Sequence, residues 1–293
     1  MSAATTSAGR EPVASRMVGI LTRGPIYVFM TLVALFWLLP TIGLFFLSLR
    51  SPADNAASGW WTALMAPSQL TFENYRELFS EGSNIPESLW NTALITVPTT
   101  LILTLIAAMA AFAFAFVRFK GRDVLFIVVV ALLVVPLQVA LIPIAELYGE
   151  IGIGGSLVSV ILFHVAFGLP FAIFLLRNFF VGIPTELLEA ARMDGASELR
   201  IFLRVVLPLG YPAMAALAIF QFLWVWNDLL VALIFADPGN APITVAIQQQ
   251  TRAFGASIDV IAPGAFVSLL IPLIVFFGFQ RYFVQGLLAG SQK

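Results

Sequence analysis

Long apolar runs alternate with short polar breaks along this chain. The first run, residues 26–49, has 24 residues. At about 1.5 Å per residue it reaches about 36 Å, enough to cross a hydrocarbon core of about 30 Å. It is longer than the roughly 7 to 15 residues of a signal-peptide core, and no A-x-A cleavage pattern follows, so a retained span is expected. Further runs predict spans over residues 89–117, 124–147, 156–176, 211–236 and 260–279. The fold class that follows is an all-α integral membrane protein with six transmembrane helices.

The breaks differ in character. Residues 1–25 are small, polar and basic, without periodicity, which predicts a mobile tail. Residues 50–88 carry Pro52, Pro67 and Pro86 among five carboxylates. There Trp60 and Trp61 fit an interfacial anchor and residues 72–79 a short surface helix. The third run contains Pro136, Gln138 and Pro143, and two prolines free carbonyls that neighbours or cavity water must satisfy. That kink fits a pathway wall or a packing kink. His164, alone in the fourth run, reads as a hydrogen-bonded packing residue more readily than as a proton or substrate site. The fifth run is interrupted by Gln221, Trp224, Trp226, Asn227 and Asp228. A carboxylate at membrane depth faces the bundle interior or an aqueous cavity, so Asn227 and Asp228 fit either a pathway or interhelical hydrogen bonds. Residues 237–259 predict a polar loop holding Gln248, Gln249 and Gln250, which is either a contact surface or a passive connector.

One break is longer and more regular. Residues 186–208 read ELLEAARMDGASELRIFLRVVLP. Pro184 and Thr185 offer a helix start, and Leu187, Ala190 and Ala191 share a face between Glu186, Glu189 and Arg192. Asp194 and Gly195 end that helix, Ser197 can cap a second, and Pro208 is expected to close it. The resulting helical hairpin has an apolar seam too short to enter a bilayer, so it needs another protein surface.

Composition agrees with the membrane assignment. Of 293 residues, 60% are hydrophobic and 11% charged, against roughly 25% charged in soluble domains; mean hydropathy is +0.97. A net charge of -1 gives no nucleic-acid signature. The absence of cysteine excludes disulfides and thiolate metal sites, and a single histidine leaves little for a metal centre.

The position of the basic residues orients the chain. Arg10, Arg16, Arg23, Arg118, Lys120, Arg122, Arg177, Arg192, Arg200, Arg204, Arg281 and Lys293 fall on one side of six spans, and Arg50, Arg76 and Arg252 on the other. Twelve against three puts both termini and the hairpin in the cytoplasm. The predicted layout is a cytoplasmic tail over 1–25, a first transmembrane helix over 26–49 and an extracytoplasmic loop over 50–88. A core of five helices follows over 89–280, with the hairpin at 182–210, then a cytoplasmic tail over 281–293.

Enzymatic chemistry is poorly supplied. A phosphate loop needs G-x-x-x-x-G-K-[ST], yet Lys120 follows Phe119 and Lys293 ends the chain. Neither H-E-x-x-H nor G-x-S-x-G occurs. Nucleotide energy, if used, comes from a partner. An ion-coupled secondary transporter is the other reading, since it also uses kinked spans and buried polar groups, but a carrier has no use for a docking hairpin.

Glu189, Ala190, Ala191, Gly195, Val205, Leu207 and Pro208 resemble the EAA loop of bacterial ABC importer permeases, E-A-A-x3-G-x9-I-x-L-P, with Val205 in place of isoleucine. GLPFAIFLLRNFF before the loop, DGAS within it, WND at 226–228 and the tail QRYFVQGLLAGSQK are similar to the sugar-importing, maltose-type branch, and the resemblance covers residues 89–293. ASGWW at 57–61 is similar to alpha-glucoside permeases. The resemblance implies a type I ABC importer permease fold in the bacterial plasma membrane. It implies a heterodimer with a second homologous permease, two ATPase subunits that bring ATP and Mg, and an extracytoplasmic solute-binding protein; a permease for a non-sugar solute stays open. Glu189, Ala190, Ala191, Asp194, Gly195, Leu207 and Pro208 would then couple to the ATPase. Gln138, Trp224, Asn227 and Asp228 would line the pathway, and Gln248, Gln249 and Gln250 would meet the binding protein.

Overall fold

The structure is a computed structural model and describes residues 13–253 and 258–291. Predictions for residues 1–12, and for Lys293, lie outside the described residues. Helix α1, Val13–Ser48, begins well before the boundary expected at residue 26, so the predicted unstructured segment is helical from Val13 onward. Its mid-part exposes Ile26, Phe29, Phe36 and Trp37, as suits a helix solvated by lipid on most of its circumference. It packs against α13, Ile258–Ser291.

Residues 50–88 form a built layer. They hold α2, Pro52–Ala57, α3, Glu73–Leu78, and two 3-10 turns, Trp60–Leu64 and Pro67–Gln69. Arg50 is fully buried and donates to the Asp54 carbonyl at 2.8 Å, the Ser58 carbonyl at 3.1 Å and Ser58 Oγ at 2.7 Å. Charge-assisted bonds of this kind are what make a buried guanidinium tolerable. The Trp60 ring is packed within this layer, stacked on Phe46 at 5.9 Å and filling the space beside Gly43, whereas Trp61 stays exposed. The expected surface helix at 72–79 is α3.

The bundle is organised on α4, Ile85–Phe116, and α7, Leu157–Phe180. Ala107, Ala108 and Ala111 of α4 are fully buried, and such small side chains let helix backbones approach closely where lipid supplies no hydrophobic drive. Between them, the third predicted span is not one kinked helix. It is α5, Arg122–Ala131, a 3-10 turn at Leu132–Val134, and α6, Leu137–Glu150, bent by 100° at the break. Pro136 is the cause: it forces extended backbone on Val135, at φ -68 and ψ 118, and supplies no N–H to continue the ladder. Pro143 sits inside α6 without breaking it. Among the described residues five helices are long and apolar enough to cross a membrane, and the bent pair, taken together as one broken span, would bring the number to six.

The second half departs from expectation in four places. The hairpin consists of α8, Thr185–Met193, and α9, Glu198–Ile201, but Pro208 does not close the second helix. A π-helical turn, Phe202–Val206, carries the chain without interruption into α10, Leu207–Trp226. The Leu207 N–H donates to the Phe202 carbonyl five residues back, and this widened turn accommodates a proline that would clash in a regular helix. The predicted fifth span ends early, at Trp226, and resumes as the short α11, Leu230–Phe235. The predicted polar loop contains α12, Ile243–Ala253, and the predicted C-terminal tail continues α13 as far as Ser291.

Candidate functional site

Two regions collect the singled-out residues, one at the helical hairpin and one at the helix breaks among the apolar helices. In the hairpin, the chain reverses through Gly195 at φ +79. Its N–H donates to the Arg192 carbonyl at 3.0 Å, and the next N–H, of Ala196, to the Ala191 carbonyl at 3.0 Å. This paired closure of a helix end requires the left-handed conformation that glycine adopts without strain. Ser197 then accepts from the Arg200 N–H at 3.4 Å, starting α9. Across the turn, Arg192 Nε and Nη2 meet Glu198 Oε1 and Oε2 at 2.8 and 3.2 Å, and this bond, above all, raises the guanidinium pKa from its ordinary value.

The apolar seam divides differently from expectation. Leu187 and Ala190 are exposed, while Leu188 is 1% exposed and packs with Ile183, Ile201 and Phe202 under Phe180. Leu188 is therefore the anchor that sequence reasoning missed; the signal was its i+3 relation to Ala191, which is half-buried against the same core. Glu189, Ala190, Asp194, Gly195 and Pro208 all face outward, and Leu207 is half-buried against the core. The hairpin presents Leu187, Ala190 and Met193, three and three residues apart, as one free apolar face beside the Glu189 carboxylate. Nothing in such a face binds a small molecule, but it fits a protein cleft.

In the membrane, a cleft of about 270 Å³ opens where the broken third span passes α7 and α10. Leu132 and Leu133 form one wall, Gly168 and Pro170 a second, Gln221 and Trp224 a third. Gln221 is 4% exposed, and its amide nitrogen has no hydrogen-bond partner among the described residues. On α7, one helical turn before Gly168, His164 is fully buried and both ring nitrogens lack a hydrogen bond among the described residues. Its Nε2 is 3.5 Å from Asp228 Oδ2, close enough for an ion-pair contact but not aligned for a hydrogen bond, and its ring meets Trp224 edge-on at 5.2 Å. The expectation of a hydrogen-bonded histidine is thus corrected: it is a packing residue held by contact.

Asp228 mainly serves the break. Its carboxylate accepts from the Val231 and Ala232 N–H groups at 3.4 and 3.1 Å, satisfying donors at the start of α11. Its carbonyl accepts from Thr244 Oγ1 of α12 at 2.6 Å. Asn227 is exposed and donates to the Leu223 carbonyl at 2.7 Å. Trp226 faces away from the cleft, buried, with Nε1 donating to the Ser268 carbonyl of α13. Gln138 is exposed at the start of α6 and does not line the cleft. Of the four expected pathway residues, Trp224 lines it, and Asp228 stands behind it through His164.

On the opposite end, Gln248, Gln249 and Gln250 lie on α12 rather than in a loop. Gln249 is exposed, the other two are half-buried, and Gln250 borders a second cleft with Glu77, Ser83 and Asn84. A larger cleft, about 470 Å³, lies at the basic turn Arg118 to Val124. Its walls are mostly exposed, with the half-buried Arg122 paired to Asp123 at 3.0 Å, so the smaller membrane cleft is the better ligand site.

A family described as the binding-protein-dependent transport system inner membrane component matches residues 102–288, which include the hairpin and the membrane cleft. The chain belongs to that family. It is 44% identical over 298 residues, covering 100% of both chains, to an osmoprotective compounds uptake permease protein of Synechocystis. It is 46% identical over 234 residues to an alpha-glucoside transport system permease protein of Rhizobium meliloti, covering 78% of this chain and 61% of that one. Among solved structures it is similar to a chain of a bacterial ABC transporter that imports the acidic polysaccharide alginate, with a TM-score of 0.74 and 23% identity over 94% of this chain and 100% of that chain. At that identity the likeness carries the fold, the all-helical fold of ABC importer permeases. The transport-system component is multi-pass, and its matched region starts within α4 and ends within α13.

Proposed function

We propose that this chain is the permease subunit of an ATP-driven importer, forming half of the translocation pathway for a sugar of the alpha-glucoside type. The cytoplasmic hairpin carries the reading. It is locked by its glycine turn and its Arg192–Glu198 pair, anchored by Leu188, and left open on the Leu187, Ala190 and Met193 face. Through the π turn it is continuous with α10, so a push on α9 moves the helix that carries Gln221 and Trp224. A rigid lever joining a docking face to a pathway wall is what a separate motor requires.

The partners that fit are two ATPase subunits on the hairpin side, which hold ATP and Mg, a second permease against the open side of the cleft, and a solute-binding protein on the α12 side. The excess of basic residues at the hairpin end supports a bacterial plasma membrane location with both termini in the cytoplasm. The relative named for alpha-glucoside transport supports a sugar of that type as the cargo. The test is uptake of labelled alpha-glucosides by the reconstituted complex. ATP-dependent uptake is expected, and uptake driven by an ion gradient without ATP would reject the reading.

A further inference from the structure

We propose that this subunit itself holds the cargo, through the Gln221 carboxamide, and that the cleft selects one ring of a neutral polyhydroxylated solute. The inference rests on the reading of the chain as a sugar permease and adds a binding residue that reading does not need. Four observations carry it. Gln221 is nine-tenths buried at the cleft wall, yet its amide nitrogen is without an acceptor among the described residues. Leaving a buried donor of that kind unpaired is costly, and a hydroxyl acceptor supplied by a ligand would recover that cost.

The side chain is also held in place. A Cβ at Gly168 would sit 2.4 Å from Leu103 Cδ1 and 3.1 Å from Gln221 Oε1, so the glycine leaves the room that the carboxamide occupies. Trp224 contributes an aromatic ring to the same wall, and its body is steadied by the edge contact with His164. A ring face beside an amide matches the apolar C–H face and polar rim of a pyranose. Finally, none of the residues lining the cleft is charged. A charged solute would lose its hydration there without compensation, so the lining discriminates for neutral cargo. At about 270 Å³, just under the roughly 300–1,000 Å³ of complete ligand pockets, the cleft accommodates part of an oligosaccharide, one ring, and leaves the remainder to the second permease.

The experiment uses the complete complex of both permeases, the ATPase subunits and the binding protein in lipid nanodiscs and proteoliposomes. Labelled maltose, sucrose and trehalose, with single-deoxy analogues of whichever is transported, are the probes. Gln221→Leu preserves side-chain bulk and removes the amide. It is expected to lower uptake about five- to tenfold, the worth of one neutral hydrogen bond, with the complex still assembled. The decisive readout is the deoxy series: one hydroxyl whose removal impairs uptake by the wild type should cease to matter in Gln221→Leu. Wild-type uptake rates in the variant, or an unchanged deoxy profile, would overturn the inference while leaving the permease reading intact. The same holds if a side chain of the second permease crosslinks into the cleft and excludes sugar. ATP-dependent uptake of none of these sugars by the wild-type complex would overturn both.

Discussion

The hairpin and the membrane break solve the same problem by opposite means. Each interrupts a helix and frees backbone donors and acceptors. In the hairpin, whose turn is exposed, the groups are satisfied within a few residues, by the Gly195 and Ala196 N–H groups that close α8 and the Ser197 hydroxyl that caps α9, while the Arg192–Glu198 pair ties the two helices side chain to side chain. At the end of α10 the freed groups lie among apolar helices, and a local cap is joined by partners from further away along the chain. Asp228 caps α11, Thr244 reaches its carbonyl from α12, and Trp226 ties to Ser268 on α13. Water forgives an unfilled backbone group and lipid does not, so local sequence suffices in one region and tertiary contacts are needed in the other.

The contrast can be broken from the hairpin side first. Gly195→Pro fixes φ near -65° and removes the N–H that bonds Arg192. ATP-driven uptake is expected to fall more than about tenfold, with the protein still inserted and extractable. Normal uptake by a normally assembled Gly195→Pro complex would remove the hairpin from the coupling path. Leu188→Ala empties the single anchor of α8 and should destabilise the hairpin by about 2–4 kcal/mol. Hydrogen exchange of the amides in residues 186–196 reads that loss, and protection equal to wild type would mean that the turn alone holds the hairpin.

On the membrane side, Asp228→Ala removes the acceptor for two N–H groups at α11 and should cost about 1–2 kcal/mol. The fall should appear as a lower thermal midpoint in detergent, and a midpoint equal to wild type would show that the break is satisfied by other groups. The smallest effect expected is that of Glu198→Gln, about 0.5 kcal/mol and weakening further with salt, because both partners of the ion pair are more than one-third exposed. A salt-independent loss above about 2 kcal/mol would put that pair in a drier setting than the structure gives it.

Much of this division was legible in advance. The turn at Gly195, the cap at Ser197 and the outward Glu189 follow from short-range chemistry, and they appear where the residue order placed them. The errors cluster where one residue's fate depends on a distant neighbour. Pro208 reads as a helix stop, yet Phe202 and Val206 are buried against the bundle core, and a π turn keeps the helix running at a proline. Leu188 and Leu187 are chemically alike, and only the packing of Ile201 and Phe202 decides which is the anchor.

By itself, then, the chain's order of apolar runs determined a helical membrane protein with five to six candidate crossings, and its glycine the hairpin's turn, since each depends on segment length or one residue's φ. Tertiary structure alone decided that Pro136 breaks the third span by 100°, that His164 meets Asp228, and that Gln221 stands buried and unpartnered beside Trp224. Those outcomes depend on which helices pass close to one another, and helix proximity inside lipid is set by the summed packing of many small side chains, a property that no single stretch of sequence displays.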